Sequence, residues 1–135
     1  MSAADREGLP VATVPQVRRI AIIEDNSDSR VVLADIFESM GFTVLTAEDG
    51  EMALRLAERE RLHAYIIDLG LPGIDGYEVA RRIRQMPASD RALLIALTGY
   101  GAPVDKQRAA EAGFDHHFTK PPDFEAIAEV LRKAG

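Results

Sequence analysis

The sequence predicts an α/β fold in which helices cover both faces of a parallel sheet. Short apolar runs rich in β-branched residues alternate with longer segments whose apolar residues recur every three or four positions. Gly and Pro punctuate this alternation, at Gly41, residues 70–76, Gly113 and Pro121. Strands that alternate with helices form a mostly parallel sheet, because each crossover helix returns the chain to the same edge.

The pattern contains five strands and five helices. The predicted strands cover residues 18–23, 42–47, 64–67, 92–97 and 114–119. The first helix begins at a cap among residues 26–28, ends near Met40 and carries an apolar stripe of Val32, Leu33, Ile36, Phe37 and Met40. The other helices are predicted over about 50–61, 76–86, 104–112 and from Asp123 onward. Right-handed crossovers favour the flavodoxin-like, doubly wound (βα)5 arrangement with strand order 2-1-3-4-5.

Length and composition fit one globular domain of 135 residues with a formal net charge of −6. Residues 1–16 lack a periodic pattern and are predicted to be a flexible tail or linker, so that the domain covers residues 17–135. The negative charge argues against binding to nucleic acid or to anionic membranes. Because the sequence has no cysteine, no secretory signal and no apolar run of membrane-spanning length, a cytoplasmic location is expected.

Four of the predicted strands end in residues that carry chemistry. Glu24 and Asp25 follow the first strand, Asp68 the third, Thr98 the fourth and Lys120 the fifth. In the order 2-1-3-4-5 these four strands are neighbours, so we expect the five side chains to converge at the carboxyl edge. Open α/β sheets bind their ligands at this edge.

Three carboxylates in one place favour a divalent cation, because like charges otherwise oppose their joint ionisation. Oxygen ligands that leave room for water suit Mg²⁺. With the metal bound, Asp68 can act as a nucleophile toward a phosphoryl group, and Lys120 and Thr98 can neutralise its oxygens. Each residue alone also fits a structural part, as a helix cap, a strand-end hydroxyl or a solvated lysine. Their joint occurrence favours a functional site.

From residue 18 to its end, the chain resembles the receiver domain of two-component response regulators. The resemblance is carried by Glu24-Asp25, by Asp68 with the following Leu-Pro-Gly-Ile-Asp-Gly-Tyr-Glu of residues 71–78, by Thr98-Gly and by Lys120-Pro. It implies a phosphoryl-accepting switch that works with Mg²⁺ and receives its phosphoryl group from a sensor histidine kinase or a histidine phosphotransfer protein. Such a domain passes the signal to a downstream protein, which the sequence does not name. It catalyses only its own phosphorylation and dephosphorylation.

The resemblance also assigns parts to individual residues. Asp68 would be the phosphoacceptor. Asp25 and Asp68 would bind Mg²⁺ directly, Glu24 through water, and Gly70 through its backbone carbonyl. Thr98 and Lys120 would contact the phosphoryl group, and the peptide bond between Lys120 and Pro121 is expected to be cis.

One position departs from the family pattern. His117 stands three residues before the lysine, where the family usually has a Tyr or Phe that moves inward on phosphorylation. Either the imidazole replaces that ring in the switch or the switch works differently, and the alternative that His117 is a surface histidine without a role stays open as well. Tyr100, two residues after Thr98, occupies a position that tunes phosphoryl lifetime in the family. We expect phosphorylation to order residues 99–112 and the face formed by the fourth helix, fifth strand and fifth helix.

Two other classes of protein compete with this interpretation. An FMN-binding flavodoxin-like domain needs a phosphate-binding loop after the first strand, and the acids at Glu24 and Asp25 would repel a phosphate there. A pseudo-receiver would bind partners without being phosphorylated, and the complete set of site residues argues against it. Whether the chain is a stand-alone regulator or part of a hybrid histidine kinase stays open, with a slight preference for the hybrid kinase.

Overall fold

The computed structural model describes residues 19–89, 91–99 and 105–133. Its strands are β1 (Arg19–Ile23), β2 (Thr43–Ala47), β3 (Ala64–Asp68), β4 (Leu93–Thr98) and β5 (His116–Thr119). Its helices are α1 (Ser27–Ser39), α2 (Gly50–Arg59), α3 (Gly76–Arg84), α4 (Lys106–Ala112) and α5 (Phe124–Lys133), with a short 3-10 helix at Pro87–Ser89. The strands form one parallel sheet in the order β2-β1-β3-β4-β5. The predicted fold class and strand order are therefore confirmed.

The two faces of the sheet bury two separate apolar clusters. On one face Ala21, Ile23, Tyr65, Ile67 and Leu94 pack against α2 and α3. On the other face Ile20, Ile22, Ile66, Ile95 and Leu97 pack against α1 and α5. Successive strand residues alternate between the clusters, as the pleat requires. All five residues of β3 are buried, which explains the continuous apolar run of its first four residues before Asp68.

Side-chain caps define where the helices begin. Asn26 accepts a hydrogen bond from the Ser29 amide at 2.9 Å, and Asp49, Asp75 and Asp105 cap α2, α3 and α4 in the same way. Asp123 accepts from the Ala126 amide at the start of α5. A cap satisfies amides that have no partner inside the helix. Asn26 lies next to Glu24 and Asp25, so the cap of α1 fixes the end of the segment that carries these two acids.

Several details of the sequence prediction were wrong. Val32 is 53% exposed, because α1 touches the sheet through a narrower stripe that buries Leu33 and Phe37. The fifth strand begins at His116 rather than at residue 114, because the Phe114 amide donates to the Ala109 carbonyl at the end of α4 at 3.0 Å. The Phe114 ring packs edge-on against Tyr77, with 6.3 Å between centroids. The remaining predicted bounds differ from the structure by one or two residues, apart from the start of the fourth helix at residue 104, which is not described.

The predicted tail, residues 1–16, lies outside the described residues, and so does Tyr100. Within the described ranges, none of the helices combines the length and the apolar content that crossing a bilayer requires.

Candidate functional site

The predicted acids meet at the carboxyl edge of the sheet. β1 delivers Glu24 and Asp25, and β3 beside it ends in Asp68. One carboxylate oxygen from each of the three residues lies within 4.8 Å of the other two. Asp25 is exposed, whereas Glu24 and Asp68 are only 2% and 8% exposed. The cluster is therefore buried at Glu24 and Asp68 and accessible to solvent at Asp25.

Lys120 reaches into this cluster from the end of β5. Its Nζ donates to Glu24 Oε1 at 2.6 Å and to Asp68 Oδ2 at 3.0 Å. The backbone supports this placement, since the Lys120 amide donates to the Thr98 carbonyl at 2.7 Å. The Lys120-Pro121 peptide bond is cis, as the resemblance implied. If all four groups are ionised, the three carboxylates and the Lys120 ammonium carry a net charge of −2. One divalent cation would balance this charge.

The environment shifts two pKa values in the site. Burial raises the pKa of Glu24, and the hydrogen bonds from Lys120 and from the Asn26 amide offset only part of this effect. For Lys120, burial alone would lower the pKa, but its bonds to Glu24 and Asp68 outweigh burial and raise it. Lys120 therefore stays charged at neutral pH, and its ammonium favours the ionised form of Glu24 against the effect of burial.

Thr98 ends β4 with its hydroxyl buried. Thr98 Oγ1 has no hydrogen-bond partner among the residues that the structure describes. A buried hydroxyl without a partner is costly, so such a group indicates a missing acceptor or donor. A side chain placed at the neighbouring Gly99 would meet no described atom within 4 Å of its Cβ.

The loop after β3 folds back onto Asp68. The Gly70 amide donates to Asp68 Oδ1 at 2.8 Å. At Gly76 a Cβ atom would lie only 2.7 Å from the Asp68 carbonyl oxygen, so the first residue of α3 must be glycine for the helix to approach this closely. The Gly70 amide thus orients the Asp68 side chain, and Gly76 lets α3 pack closely against the Asp68 backbone. The sequence analysis assigned the Gly70 carbonyl oxygen as a Mg²⁺ ligand, and this assignment stays a prediction.

His117 lies in β5 opposite Ala96 and is exposed. Alternation along β4 places Ala96, and with it His117, on the same face of the sheet as Thr98. This is the face on which a switch residue would have to approach Thr98. Whether His117 acts as one stays a prediction.

Two residues of this edge were missed by the sequence analysis as members of the site. Asn26 caps α1, and its own amide also donates to Glu24 Oε2 at 3.2 Å. Arg30 donates to the carbonyl oxygens of Glu24 and Asp25. A signal for Arg30 was available, because side chains of a helix point back toward its amino terminus and Arg30 stands four residues after the cap.

The residues present fit a magnesium ion. Their donor set is carboxylate oxygen, the hard ligand that Mg²⁺ prefers, and the exposed Asp25 leaves room for retained waters. The negative charge of three carboxylates that lie this close together favours a cation at this position.

Comparison with known sequences gives the family. Residues 20–132 match the family model of the response regulator receiver domain. Sporulation initiation phosphotransferase F of Bacillus subtilis is 30% identical over 115 residues, which are 85% of this chain and 91% of that protein. Sensor histidine kinase RcsC of Escherichia coli is 31% identical over 112 residues, which are 83% of this chain but only 12% of that much longer protein.

Comparison with solved structures agrees. The receiver domain of sensor histidine kinase PA1611 from Pseudomonas aeruginosa, with a magnesium ion in its active-site cleft, has a TM-score of 0.78 and 31% identity, over 87% of this chain and 97% of that one. A receiver domain of a histidine kinase from Syntrophus aciditrophicus has a TM-score of 0.78 and 28% identity, over 87% of this chain and 89% of that one. The fold, the acidic cluster and these likenesses together show that the chain belongs to the response regulator receiver domain family.

Proposed function

We propose that Asp68 accepts a phosphoryl group from a phosphohistidine and thereby acts as the switch of a two-component system or phosphorelay. The observation that carries this proposal is the position of Asp68 itself. Its carboxylate accepts a hydrogen bond from Lys120 at 3.0 Å and lies in a three-carboxylate cluster. Asp68 also ends the strand next to β4, whose Thr98 hydroxyl has no hydrogen-bond partner among the described residues.

In the proposed step an Asp68 carboxylate oxygen attacks phosphorus. The oxygen–phosphorus bond forms as the phosphorus–nitrogen bond of the donor breaks, and the electron pair of that bond returns to the imidazole. Lys120 and the Thr98 hydroxyl contact the phosphoryl oxygens and stabilise their charge. Water later cleaves the acyl phosphate, so the domain catalyses only its own phosphorylation and dephosphorylation.

Mg²⁺ would be held by Asp25 and Asp68, by Glu24 through water and by the Gly70 carbonyl, and it would neutralise charge on the phosphoryl group. The protein's own residues do the remaining work. The Gly70 amide orients Asp68. The Lys120 ammonium offsets the cost of burying the carboxylates by supplying a positive charge and a hydrogen bond.

The donor is proposed to be a sensor histidine kinase or a histidine phosphotransfer protein. A groove of about 510 Å³ lies beside Lys120 and Glu24, between α1 and the start of α5. Its wall is mostly apolar, with Val32, Pro122 and Phe124 among its residues. A donor that carries phosphohistidine must cover this surface to reach Asp68, and an exposed apolar wall favours a protein surface of similar character. The downstream partner is a further protein that responds to the phosphorylated state.

Phosphorylation itself is tested with a small-molecule phosphodonor such as acetyl phosphate, with and without Mg²⁺, read by intact mass. We expect one phosphoryl adduct on the wild type in the presence of Mg²⁺, none on Asp68→Asn, and a normal adduct on Asp35→Asn, an exposed acid of α1. A folded wild type that takes no phosphoryl group with Mg²⁺ would favour the pseudo-receiver.

The groove is tested by comparing two donors. Val32→Asp should slow transfer from phosphorylated histidine phosphotransfer proteins at least several-fold and leave the rate with acetyl phosphate nearly unchanged. Val31→Asp is the matched control, because Val31 is its neighbour, is 58% exposed and does not line the groove. Equal effects of the two variants would remove the groove from the proposal.

A further inference from the structure

Arg30 reaches back from α1 to the loop that carries two of the three acids. Its Nη1 donates to the Glu24 carbonyl oxygen at 2.8 Å and also contacts the Asp25 carbonyl oxygen at 3.3 Å. These contacts are made to the backbone rather than to the carboxylates. Arg30 thus constrains the backbone at Glu24 and Asp25 and does not occupy their carboxylates.

The helix that carries Arg30, α1, is held in place at its start and by its packing on the sheet. Asn26 caps α1, and the Arg30 amide donates to the Asn26 carbonyl in the first turn of the helix. One turn further on, the buried Leu33 and then Phe37 anchor α1 to the sheet. Arg30 is itself half-buried. Its guanidinium therefore holds the loop from an element whose own position is fixed by packing.

The loop has a short span between two anchors. On one side the Glu24 amide donates to the Ala47 carbonyl of β2 at 3.1 Å, and on the other side Asn26 begins the cap of α1. Arg30 binds the two carbonyls between these anchors. The directions of the Glu24 and Asp25 side chains follow from the backbone at these residues, so a change in the carbonyl directions would move both carboxylates.

We infer that Arg30 is a positioning residue for the metal site: its bonds to the two carbonyls hold Glu24 and Asp25 in the geometry that Mg²⁺ binding needs. The inference rests on the proposed function, because it assumes that Mg²⁺ binds at these acids. Mg²⁺ demands near-ideal octahedral geometry, so small displacements of its ligands weaken binding. Residues that orient metal ligands commonly change affinity by roughly tenfold or more when they are replaced.

The sign of the effect separates positioning from charge. If Arg30 acted only as a nearby positive charge, its removal would strengthen Mg²⁺ binding, because two cations repel each other. If it positions the loop, its removal weakens Mg²⁺ binding despite the lost charge. A role limited to anchoring α1 would lower the free energy of unfolding and leave the affinity for Mg²⁺ unchanged.

The test is a Mg²⁺ titration followed by the amide chemical shifts of Asp25 and Gly70. For Arg30→Gln we expect a dissociation constant raised roughly tenfold. Arg30→Lys keeps the charge but has a single amine in place of the guanidinium, so it should also bind more weakly than wild type. Arg55→Gln is the control, because Arg55 is an exposed arginine on α2, away from the site. Its affinity should equal that of the wild type.

A second readout is the initial rate of phosphoryl-adduct formation as a function of Mg²⁺ concentration. In Arg30→Gln the half-saturating concentration should rise and the rate at saturation should approach that of wild type. Unchanged or tighter Mg²⁺ binding in Arg30→Gln would overturn the inference and leave the proposed function standing. Failure of the wild type itself to bind Mg²⁺ would overturn both.

Discussion

At the scale of single residues, Lys120 joins the two buried acids of the site. Its Nζ donates hydrogen bonds to both Glu24 and Asp68. In the metal-free protein, one ammonium therefore partly compensates the charge of two buried carboxylates. Isolated charges in such places are strongly unfavourable, and a counter-charge makes them tolerable. Lys120 thus supports the fold of the metal-free site in addition to its proposed contact with the phosphoryl group.

Replacing Lys120 by alanine should therefore destabilise the metal-free protein. We expect the free energy of unfolding in urea to fall by about 1–3 kcal/mol, because Glu24 and Asp68 lose their counter-charge. Added Mg²⁺ should recover more stability in this variant than in the wild type, since the ion supplies the missing positive charge. Lys133→Ala, at an exposed lysine of α5, is the control. A loss no larger than that of the control would contradict this account of Lys120.

At the scale of secondary-structure elements, α4 is the helix with the least apolar anchorage. It spans seven residues and buries only alanines, Ala109 and Ala112, among its described side chains. Polar contacts from Arg108 add to this packing. Its guanidinium lies 4.1 Å above the Tyr77 ring, and its Nη2 contacts Asp75 Oδ2 at 3.1 Å. Asp75 and Tyr77 belong to the start of α3, which lies directly against Asp68, so Arg108 links α4 to the surroundings of the site.

Removal of this link should loosen α4. A cation–π contact and an exposed ion pair together contribute about 1 kcal/mol, which corresponds to a roughly fivefold change in an opening equilibrium. We expect amide hydrogen exchange in residues 106–112 to speed up by about that factor in Arg108→Ala. Lys106→Ala, an exposed change in the same helix, should leave exchange near the wild-type rate. Identical exchange in both variants would show that Arg108 does not hold α4.

Phosphorylation is expected to order the same region. With Mg²⁺ and beryllofluoride as a phosphoryl mimic, we predict slower amide exchange across residues 99–112 and along the face of α4, β5 and α5. The reason is that a group bound at Asp68 would give the Thr98 hydroxyl a partner and fix the end of β4. Equal exchange with and without the mimic would reject this prediction.

The surface of α3 carries a pH-dependent interaction of its own. Hydrogen bonds from Arg81 and Arg82 lower the pKa of the Glu78 carboxyl from 4.5 to about 2. A carboxyl whose pKa is lower in the folded state contributes stability above pH 4.5, and this contribution is lost as pH falls toward 2. Glu78→Gln should therefore flatten the dependence of unfolding free energy on pH in this range, while the exposed Glu129→Gln should not. The effect should shrink at high salt, because the Glu78 side chain is partly exposed to solvent.

At the scale of the whole molecule, the sequence predicted the strand order and the meeting of Glu24, Asp25, Asp68, Thr98 and Lys120. The strand order followed from the right-handed crossovers of the strand–helix alternation. The meeting of the residues followed from that order, because parallel strands all have their carboxyl ends at the same edge. Contacts that depend on the length and rotamer of one side chain were not predictable in this way. The hydrogen bonds from Arg30 to the carbonyls of Glu24 and Asp25 are such contacts.

The exposure of Val32 was mispredicted for a related reason. Helical periodicity marks every apolar residue on one side of α1, but the curvature of the sheet and the position of α5 decide how wide a stripe is covered. The structure buries Leu33 and Phe37 and leaves Val32 beside the groove. An apolar residue that the fold does not cover is then available to a partner.

The central claim is that Asp68 is the residue that carries the phosphoryl group. It is tested most directly by treating the protein with acetyl phosphate and Mg²⁺ and then reducing it with borohydride, which converts an aspartyl phosphate to homoserine. The digested protein is sequenced by mass spectrometry. We predict homoserine at position 68, and only when Mg²⁺ and the donor are both present. Homoserine at Asp25 or at another acid, or none at all in the folded protein, would contradict the claim.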